Sequence, residues 1–543
     1  MTIRETILEV VARRAGEPFL LDANSDRQIT YGEFHRQASA MAAELRRRGV
    51  RKDDRVAVVL PNCCELAIFY FACIYLGAVI VPINPTLSKS DVQFIVASCK
   101  PSVIVAGVSC AGPVQDFSAN ILLLTIGHGT VHDAVDETKT KTNGSCPISI
   151  DALGDADDFT PLETADGNDL IVIMYTSGTS AKPKGLAHRL GRMFRNAAAF
   201  ASAQGIDENS RFYLTLSMAY MGGFYNLLIL PFLCGASVVV DHVFDARSSL
   251  HFWEKAKNNN VNTLWLAPTV LSILLRMDRG RTGEEFCRAS VRHAFVGFAP
   301  LPLKVKDEFE SRYGLRLIEN YGLSETLFVT ARSQESSNGA GYVGEALPGI
   351  GLRVVRDEVE SAAPGSDGEV QILTPDLMAG YLDADGRLLE IDASVWFPTG
   401  DIGRMGEGNA LFITGRKKDL IIRGGVNISP AAVEEALMQV NGVADVAVVS
   451  IPHELYGEDI VAVLKLDPGV ELDSILDSVI AHARLHLAQH QQPARYIAID
   501  EFPRTANGKV QKARIRELVA GKLQVTSVSV PHAPRPQNAG ISR

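Results

Sequence analysis

The sequence predicts an α/β protein of two domains: a large N-terminal domain of layered β-sheets flanked by helices, then a small α+β domain. Three observations carry that expectation. The chain has 543 residues, more than one hydrophobic core accommodates. Strand and helix signals alternate from Thr30 to about residue 110, the rhythm of sheets covered by helices. After Ser429 a helix, two strands and a second helix follow in quick succession, enough for a small second layer.

Met1 to Gly16 mixes acids and bases along a helical period, which is not the pattern of a signal peptide. Thr30 with Glu33 reads as a capping box, opening a helix through Arg48 that stops at Gly49. Its apolar stripe is Phe34, Ala38, Met41 and Leu45. Val56 to Leu60 reads as a buried strand. Leu66 to Val81 is nearly all apolar, yet short for a membrane span and interrupted by Gly77 and Pro82. A buried helix running into a buried strand is expected there. Residues 127 to 168 are polar and acidic and read as a linker. Apolar runs at Leu170–Met174, Phe212–Leu216 and Thr263–Pro268 read as further strands, the last with a proline stop. Ser429 and Pro430 signal the start of a helix through about Val440. Strands are expected over Asp445–Ile451 and Ile460–Leu466, and a helix over Ser474–Leu487. Residues 525–543 hold few apolar side chains and are expected to be a disordered tail.

An apolar fraction of 46% with 21% charged residues is that of a soluble globular protein. The net charge of −10 argues against a nucleic-acid partner. The eight cysteines show no C-x-x-C and no zinc spacing, which suggests free thiols in a reducing compartment. A cytoplasmic protein, monomeric or homodimeric, is expected.

The stretch with most chemistry is Tyr175-Thr176-Ser177-Gly178-Thr179-Ser180-Ala181-Lys182-Pro183-Lys184-Gly185. A buried strand ends here in hydroxyls, glycines and lysines. Glycines let backbone N–H groups face an anion, Thr and Ser add O–H donors, and Lys supplies charge. It lacks the spacing of a Walker A loop. A plain polar surface loop is the alternative reading.

This stretch resembles the phosphate-binding signature of the adenylate-forming (ANL) superfamily, the acyl-CoA synthetases and their relatives. The usual form is Y-T-S-G-T-T-G-x-P-K-G, and here Ser180 and Ala181 replace Thr and Gly. Other segments resemble the family in the same order. Phe295 to Leu301 looks like its strand end beside adenine and the acyl group, which implies nucleotide contacts for Gly297 and Ala299; Phe298 replaces a small residue and is expected to narrow the acid pocket. Ala219, Tyr220 and Gly223 stand at the acyl pocket, with Ala219 and Tyr220 in place of an aromatic-His pair. No Asp lies there to hold a substrate ammonium, which disfavours an amino acid.

Glu319 to Thr326 resembles the family's Y-G-x-T-E, with Ser324 for Thr. The resemblance implies nucleotide contacts for Asn320, Tyr321, Gly322 and Ser324, and a Mg²⁺-holding role for Glu325. These residue types suit such roles, since a ring stacks on adenine, a hydroxyl bonds phosphate, and a carboxylate holds the bridging cation. Trp396 to Asp401 resembles W-F-x-T-G-D, placing Asp401 on the ribose hydroxyls. Arg416-Lys417-Lys418-Asp419 looks like the interdomain hinge, with Arg416 on the nucleotide and Lys418 as pivot. Gly425 lies in a further nucleotide-binding match, and Phe502 to Val510 matches the segment whose lysine, Lys509, serves adenylation. Gly341–Gly351 and Gly368–Tyr381 are also family-like, and are read as structural only.

By this resemblance the domains are 1–417 and a mobile 418–524, with the hinge at 416–419. The implied activity joins a carboxylic acid to ATP, giving acyl-AMP and pyrophosphate, and then transfers the acyl group to a thiol, most simply CoA. Thr176, Glu325, Lys418 and Lys509 are the implied catalytic set, Thr176 to Lys184 the phosphate cradle, and ATP, Mg²⁺ and CoA the implied cofactors. Loading of an acyl carrier protein and a luciferase-like oxygenation remain alternatives.

Overall fold

The computed structural model describes residues 2–107, 110, 112–117, 122–126, 146–148, 160–163, 165–176, 183–332, 339–356, 360–363, 365–504 and 510–523. It divides into two compact units. The first comprises Met1–Leu301, Val305–Thr399 and Arg404–Ile413; the second comprises Pro302–Lys304, Gly400–Gly403 and Thr414–Arg543.

In the first unit the capping box at Thr30 forms in full. The Thr30 hydroxyl accepts the Glu33 N–H, and the Glu33 carboxylate accepts the Thr30 N–H at 2.8 Å. The helix spans Tyr31–Arg47 and buries Phe34, Ala38, Met41 and Leu45. The next helix, Cys64–Leu76, is buried on every side, so it sits inside the unit rather than on it. It ends at Gly77 with φ +75°, a left-handed cap open to glycine at no steric cost. Strand Val79–Pro82 follows. Among the described residues no helix is long and apolar enough to cross a membrane.

Three large sheets are present among the described residues, two of them wholly within this unit. A seven-stranded sheet has the order Leu317–Glu319, His293–Val296, Thr263–Leu266, Arg211–Leu214, Ser237–Val240, Pro18–Asp22, Gln28–Thr30, parallel except at its last pair. A nine-stranded sheet contains the parallel strands Leu170–Thr176, Val79–Pro82, Arg55–Val59 and Val103–Gly107. Pro268 does more than stop a strand: it takes the first position of helix Pro268–Met277, where its missing N–H leaves no bond unmade. The segment read as a linker contains a short strand, Cys146–Ile148, paired parallel to Leu122–Ile126. Most of that segment, and the tail at 525–543, lie outside the described residues.

In the second unit, Val443–His453 and Gly457–Leu466 form a long antiparallel pair, and Arg495–Ala498 adds parallel to the second of them. Alternate side chains Ala447, Val449, Val461 and Val463 face Phe502, Ile515 and Val519, and the intervening Val448, Ile460, Ala462 and Leu464 are buried as well, so this sheet is covered on both faces. Helices Pro430–Met438 and Leu472–His486 lie where the sequence predicts them. Ser429 makes no capping bond; its hydroxyl donates to the Thr414 carbonyl at 2.6 Å. The Arg423 guanidinium is buried against Asp459 at 3.0 Å and donates to the carbonyls of His490 and Gln492.

Candidate active site

The residues singled out by sequence fall into three groups. The first surrounds the phosphate-loop strand. Leu170–Thr176 turns back antiparallel as Lys184–Arg189, with Thr176 opposite Lys184. Ser177, Gly178, Thr179, Ser180 and Lys182 lie outside the described residues, and only the backbone of Thr176 is described. Lys184 is exposed at the start of the return strand.

That return strand reaches the second motif, far along the chain. The buried His188 Nε2–H donates to the Ser324 carbonyl at 2.6 Å. Strand Gly380–Leu382 pairs with the return strand, Tyr381 opposite Leu186. From there the Tyr381 hydroxyl donates to Glu325 Oε1 at 3.0 Å, while the Glu325 carbonyl accepts the Met378 N–H at 2.8 Å. The Lys184 ammonium lies 5.9 Å from the centre of the Tyr381 ring, within cation–π range. The sequence marks Tyr381 as structural only; the structure puts its hydroxyl on Glu325. Burial, and next the Glu325 charge, push the Tyr381 hydroxyl well up, which keeps it the donor.

Burial lowers His188 to about 4, with a partial lift from the Ser324 carbonyl and a further lowering by Arg192. Its ordinary value is 6.5, so between these values the unfolded chain takes up a proton that the folded chain refuses. This contribution to stability is present above the higher value and is lost as pH falls toward the lower. Relative to a His188→Gln variant, the stability of the natural protein should therefore shrink by up to about 3 kcal/mol between neutral pH and pH about 4. Denaturant unfolding across that range measures it, and a pH-independent difference contradicts it.

Beside this group, the seven-stranded sheet delivers Gly297 and Asn320 from the ends of adjacent parallel strands, the usual ligand edge of such sheets. A Cβ on Gly297 would stand 3.3 Å from Asn320 Oδ1. Ala299 is exposed. Tyr321 is buried, packed with Val329, Val354, Val370, Ile372 and Leu411. Gly322 admits no side chain, since a Cβ would meet the Leu327 carbonyl oxygen at 2.1 Å. Glu319, directly before Asn320, is buried with Lys306 Nζ at 2.7 Å and Arg332 at 3.7 Å. Burial raises the Glu319 carboxyl despite the Lys306 charge. Nothing in the sequence around Lys306 marks it as buried.

The residues placed at the acid pocket also meet. Ala219 is buried and Tyr220 half-buried, and Asn84 Nδ2 donates to the Tyr220 hydroxyl at 3.4 Å. They lead into Gly222–Ile229, a helix wound in the wide i→i+5 form that is uncommon and often marks functional segments. A Cβ on Gly223 would lie 2.3 Å from the Ser217 carbonyl oxygen, and one on Gly222 would lie 2.9 Å from the Phe298 ring. Phe298 is half-buried and has φ +73°, a left-handed backbone that ring-bearing residues rarely adopt.

The third group lies in the second unit. Asp401 is buried inside strand Phe397–Met405, and Arg416 Nε meets its Oδ1 at 2.6 Å. Lys418 is exposed on the short turn Lys417–Asp419. Gly424 and Gly425, with φ +59° and +82°, form the two-residue tip of the hairpin Ile421–Arg423 to Val426–Ile428, where both positions need positive φ. Lys509 lies outside the described residues.

Residues 8–382 match the family model described as AMP-binding enzyme, and residues 432–509 match its C-terminal domain. The chain belongs to the AMP-binding enzyme family. As a member it is an adenylate-forming enzyme. The indoleacetate–CoA ligase of Aromatoleum aromaticum is 30% identical over 504 residues, covering 92% of this chain and 94% of that protein. The medium-chain fatty-acid–CoA ligase of Escherichia coli is 27% identical over 523 residues, covering 94% and 89%. The ATP-bound crystal structure of MatB from Rhodopseudomonas palustris superposes with a TM-score of 0.82 at 24% identity, covering 95% of this chain and 99% of that one. That likeness shows that the two chains share a fold.

The donor set of this AMP-binding enzyme fits Mg²⁺. Among the described residues no three His, Cys, Asp or Glu side chains gather into a metal cage. Glu325 instead offers a single carboxylate with one oxygen taken by Tyr381. Mg²⁺ is commonly held in that way, by one or two carboxylates together with substrate phosphates.

Proposed function

We propose that this AMP-binding enzyme is an AMP-forming acid–thiol ligase. It joins a carboxylic acid to ATP to give acyl-AMP and pyrophosphate, then transfers the acyl group to CoA and releases AMP. The observation that carries this reading is the meeting of the phosphate-loop strand with Ser324 and Glu325, through His188 and Tyr381. CoA is favoured over an acyl carrier protein or an oxygenation because the relatives described above are CoA ligases. A cytoplasmic setting agrees with seven free cysteines among the described residues.

A carboxylate attacks an anionic phosphate poorly because like charges repel. In this reading the hydroxyls and N–H groups of Thr176 to Ser180, with Lys182 and Lys184, hold the phosphates. Ser324 would donate to the α-phosphate, and Glu325 would hold Mg²⁺. When bound, Mg²⁺ would supply positive charge against the phosphates. Lys509 stabilises the phosphate charge from the C-terminal domain. Asp401 and Arg416 take the ribose and nucleotide, with Gly425 nearby in sequence. We place the domain division at 417/418, with Lys418 as pivot. The test is product analysis: with an accepted acid, ATP and CoA, acyl-CoA and AMP should form in equal amounts without any protein acceptor.

Asp401→Ala should weaken ATP by roughly 1.5–3 kcal/mol for each lost charged hydrogen bond, leaving acid affinity nearly unchanged. Equilibrium binding of each ligand decides it, and equal weakening of both contradicts the role. Phe298→Gly should widen the range of acids accepted. The lost packing of this half-buried ring is partly offset by roughly 1–2 kcal/mol of relieved left-handed strain, so some loss of stability is expected. An unchanged acid profile in the folded variant would remove Phe298 from the pocket.

A further inference from the structure

The strand Gly380–Leu382 is paired on both sides. Tyr381 stands opposite Leu186 of the phosphate-loop return strand and opposite Leu389 of the next strand. Gly380 lets these strands close up, since a Cβ there would lie 2.0 Å from the Leu389 carbonyl oxygen. The backbone carrying Tyr381 is therefore fixed from two directions. Its ring lies beside the Lys184 ammonium, and its hydroxyl reaches Glu325 Oε1 at 3.0 Å. Glu325 is half-buried, so without this bond its carboxylate would rotate among solvated rotamers. Its backbone is already held, through Met378 on the Glu325 carbonyl and His188 on the adjacent Ser324 carbonyl. Among the described residues, the Tyr381 bond is the one that holds the side chain.

We propose that Tyr381 is a positioning residue for Glu325, pinning Oε1 so that Oε2 is presented to the phosphate-bridging divalent cation. The proposal rests on the reading of Glu325 as the cation-holding residue. Tyr381 touches neither substrate nor cation; it acts by removing rotational freedom from the group that does, and preorganisation of this kind raises affinity by lowering the ordering cost of binding.

The experiment is equilibrium binding of ATP to the full chain, with Mg²⁺ varied and with Mg²⁺ removed by chelator, for the natural protein, Tyr381→Phe and Glu325→Gln. The gain in ATP affinity on adding Mg²⁺ should fall about tenfold in Tyr381→Phe, as expected for one lost charge-assisted hydrogen bond. ATP affinity in chelator and the melting temperature should stay close to natural values. Glu325→Gln should lose the Mg²⁺ gain more fully. An unchanged or larger Mg²⁺ gain in Tyr381→Phe, with the gain lost in Glu325→Gln, overturns the positioning role alone. An unchanged gain in Glu325→Gln overturns the reading of Glu325 and the inference with it. Equal weakening with and without Mg²⁺ in Tyr381→Phe indicates a merely structural role and also overturns it. A second pair guards against misfolding: Tyr381→Gln keeps a donor and should retain more of the Mg²⁺ gain than Tyr381→Leu, and equal losses in the two contradict the proposal.

Discussion

Lys509→Ala should lower the rate of acyl-adenylate formation by at least about 10²–10³-fold, the effect of removing one donor from a developing transition-state charge. The same variant should still convert supplied acyl-adenylate and CoA to thioester, because that step no longer builds negative charge on the α-phosphate. The asymmetry is what the proposed role requires. Lys509 lies about ninety residues beyond Lys418 in the sequence, inside the domain that this pivot would swing. Lys418→Pro should act in the opposite sense, leaving adenylation active while slowing thioester formation. Proline fixes φ and would hold the exposed turn Lys417–Asp419 in one form. Single-turnover assays of the two half-reactions measure both variants. Equal loss of both steps in both folded variants contradicts a two-pose mechanism.

Lys306→Met should destabilise the first unit by about 3–5 kcal/mol, because it leaves the Glu319 carboxylate buried without its nearest cation. Arg332 at 3.7 Å is too distant to replace the 2.7 Å contact. The sign of the pH effect follows from the raised Glu319 carboxyl. A folded-state value above the unfolded one gives stability that is present at low pH and lost as pH rises through the folded value. The variant raises that value further, so its deficit should grow with pH above the ordinary carboxyl range. The double variant Lys306→Met/Glu319→Leu should recover most of the loss, since replacing both members of a buried pair is often neutral. Denaturant unfolding of the three proteins tests this. A single-variant deficit below about 1 kcal/mol, or no recovery in the double variant, contradicts it.

The parts of the fold legible in the sequence are those written locally. Thr30 and Glu33 announce their helix because both halves of a capping box lie within one turn. Cys64–Leu76 and Val79–Pro82 are separable because Gly77 alone takes the left-handed cap cheaply. The motifs carrying Thr176, Glu325 and Asp401 are legible as residue types suited to phosphate, cation and ribose. What joins them is not. Tyr381 reaches Glu325 across 56 residues, and His188 reaches Ser324 across 136. No periodicity or spacing encodes such contacts, since strand pairing brings them about. The buried Lys306 sits in a helix otherwise rich in charge, so pattern reading assigns it to solvent. Ser429 before Pro430 has the letters of an N-cap, yet the Thr414 carbonyl captures its hydroxyl. The wide helix at Gly222–Ile229 follows an apolar run that reads equally well as a core turn.

The most direct test of the adenylation mechanism is acid-dependent exchange of pyrophosphate into ATP across a panel of carboxylic acids, with the nucleotide product identified for each acid accepted. Exchange should require the acid, proceed without CoA, and give way to AMP and pyrophosphate formation when CoA is then supplied. Formation of ADP and phosphate from an accepted acid, or exchange that proceeds without any acid, would contradict the mechanism.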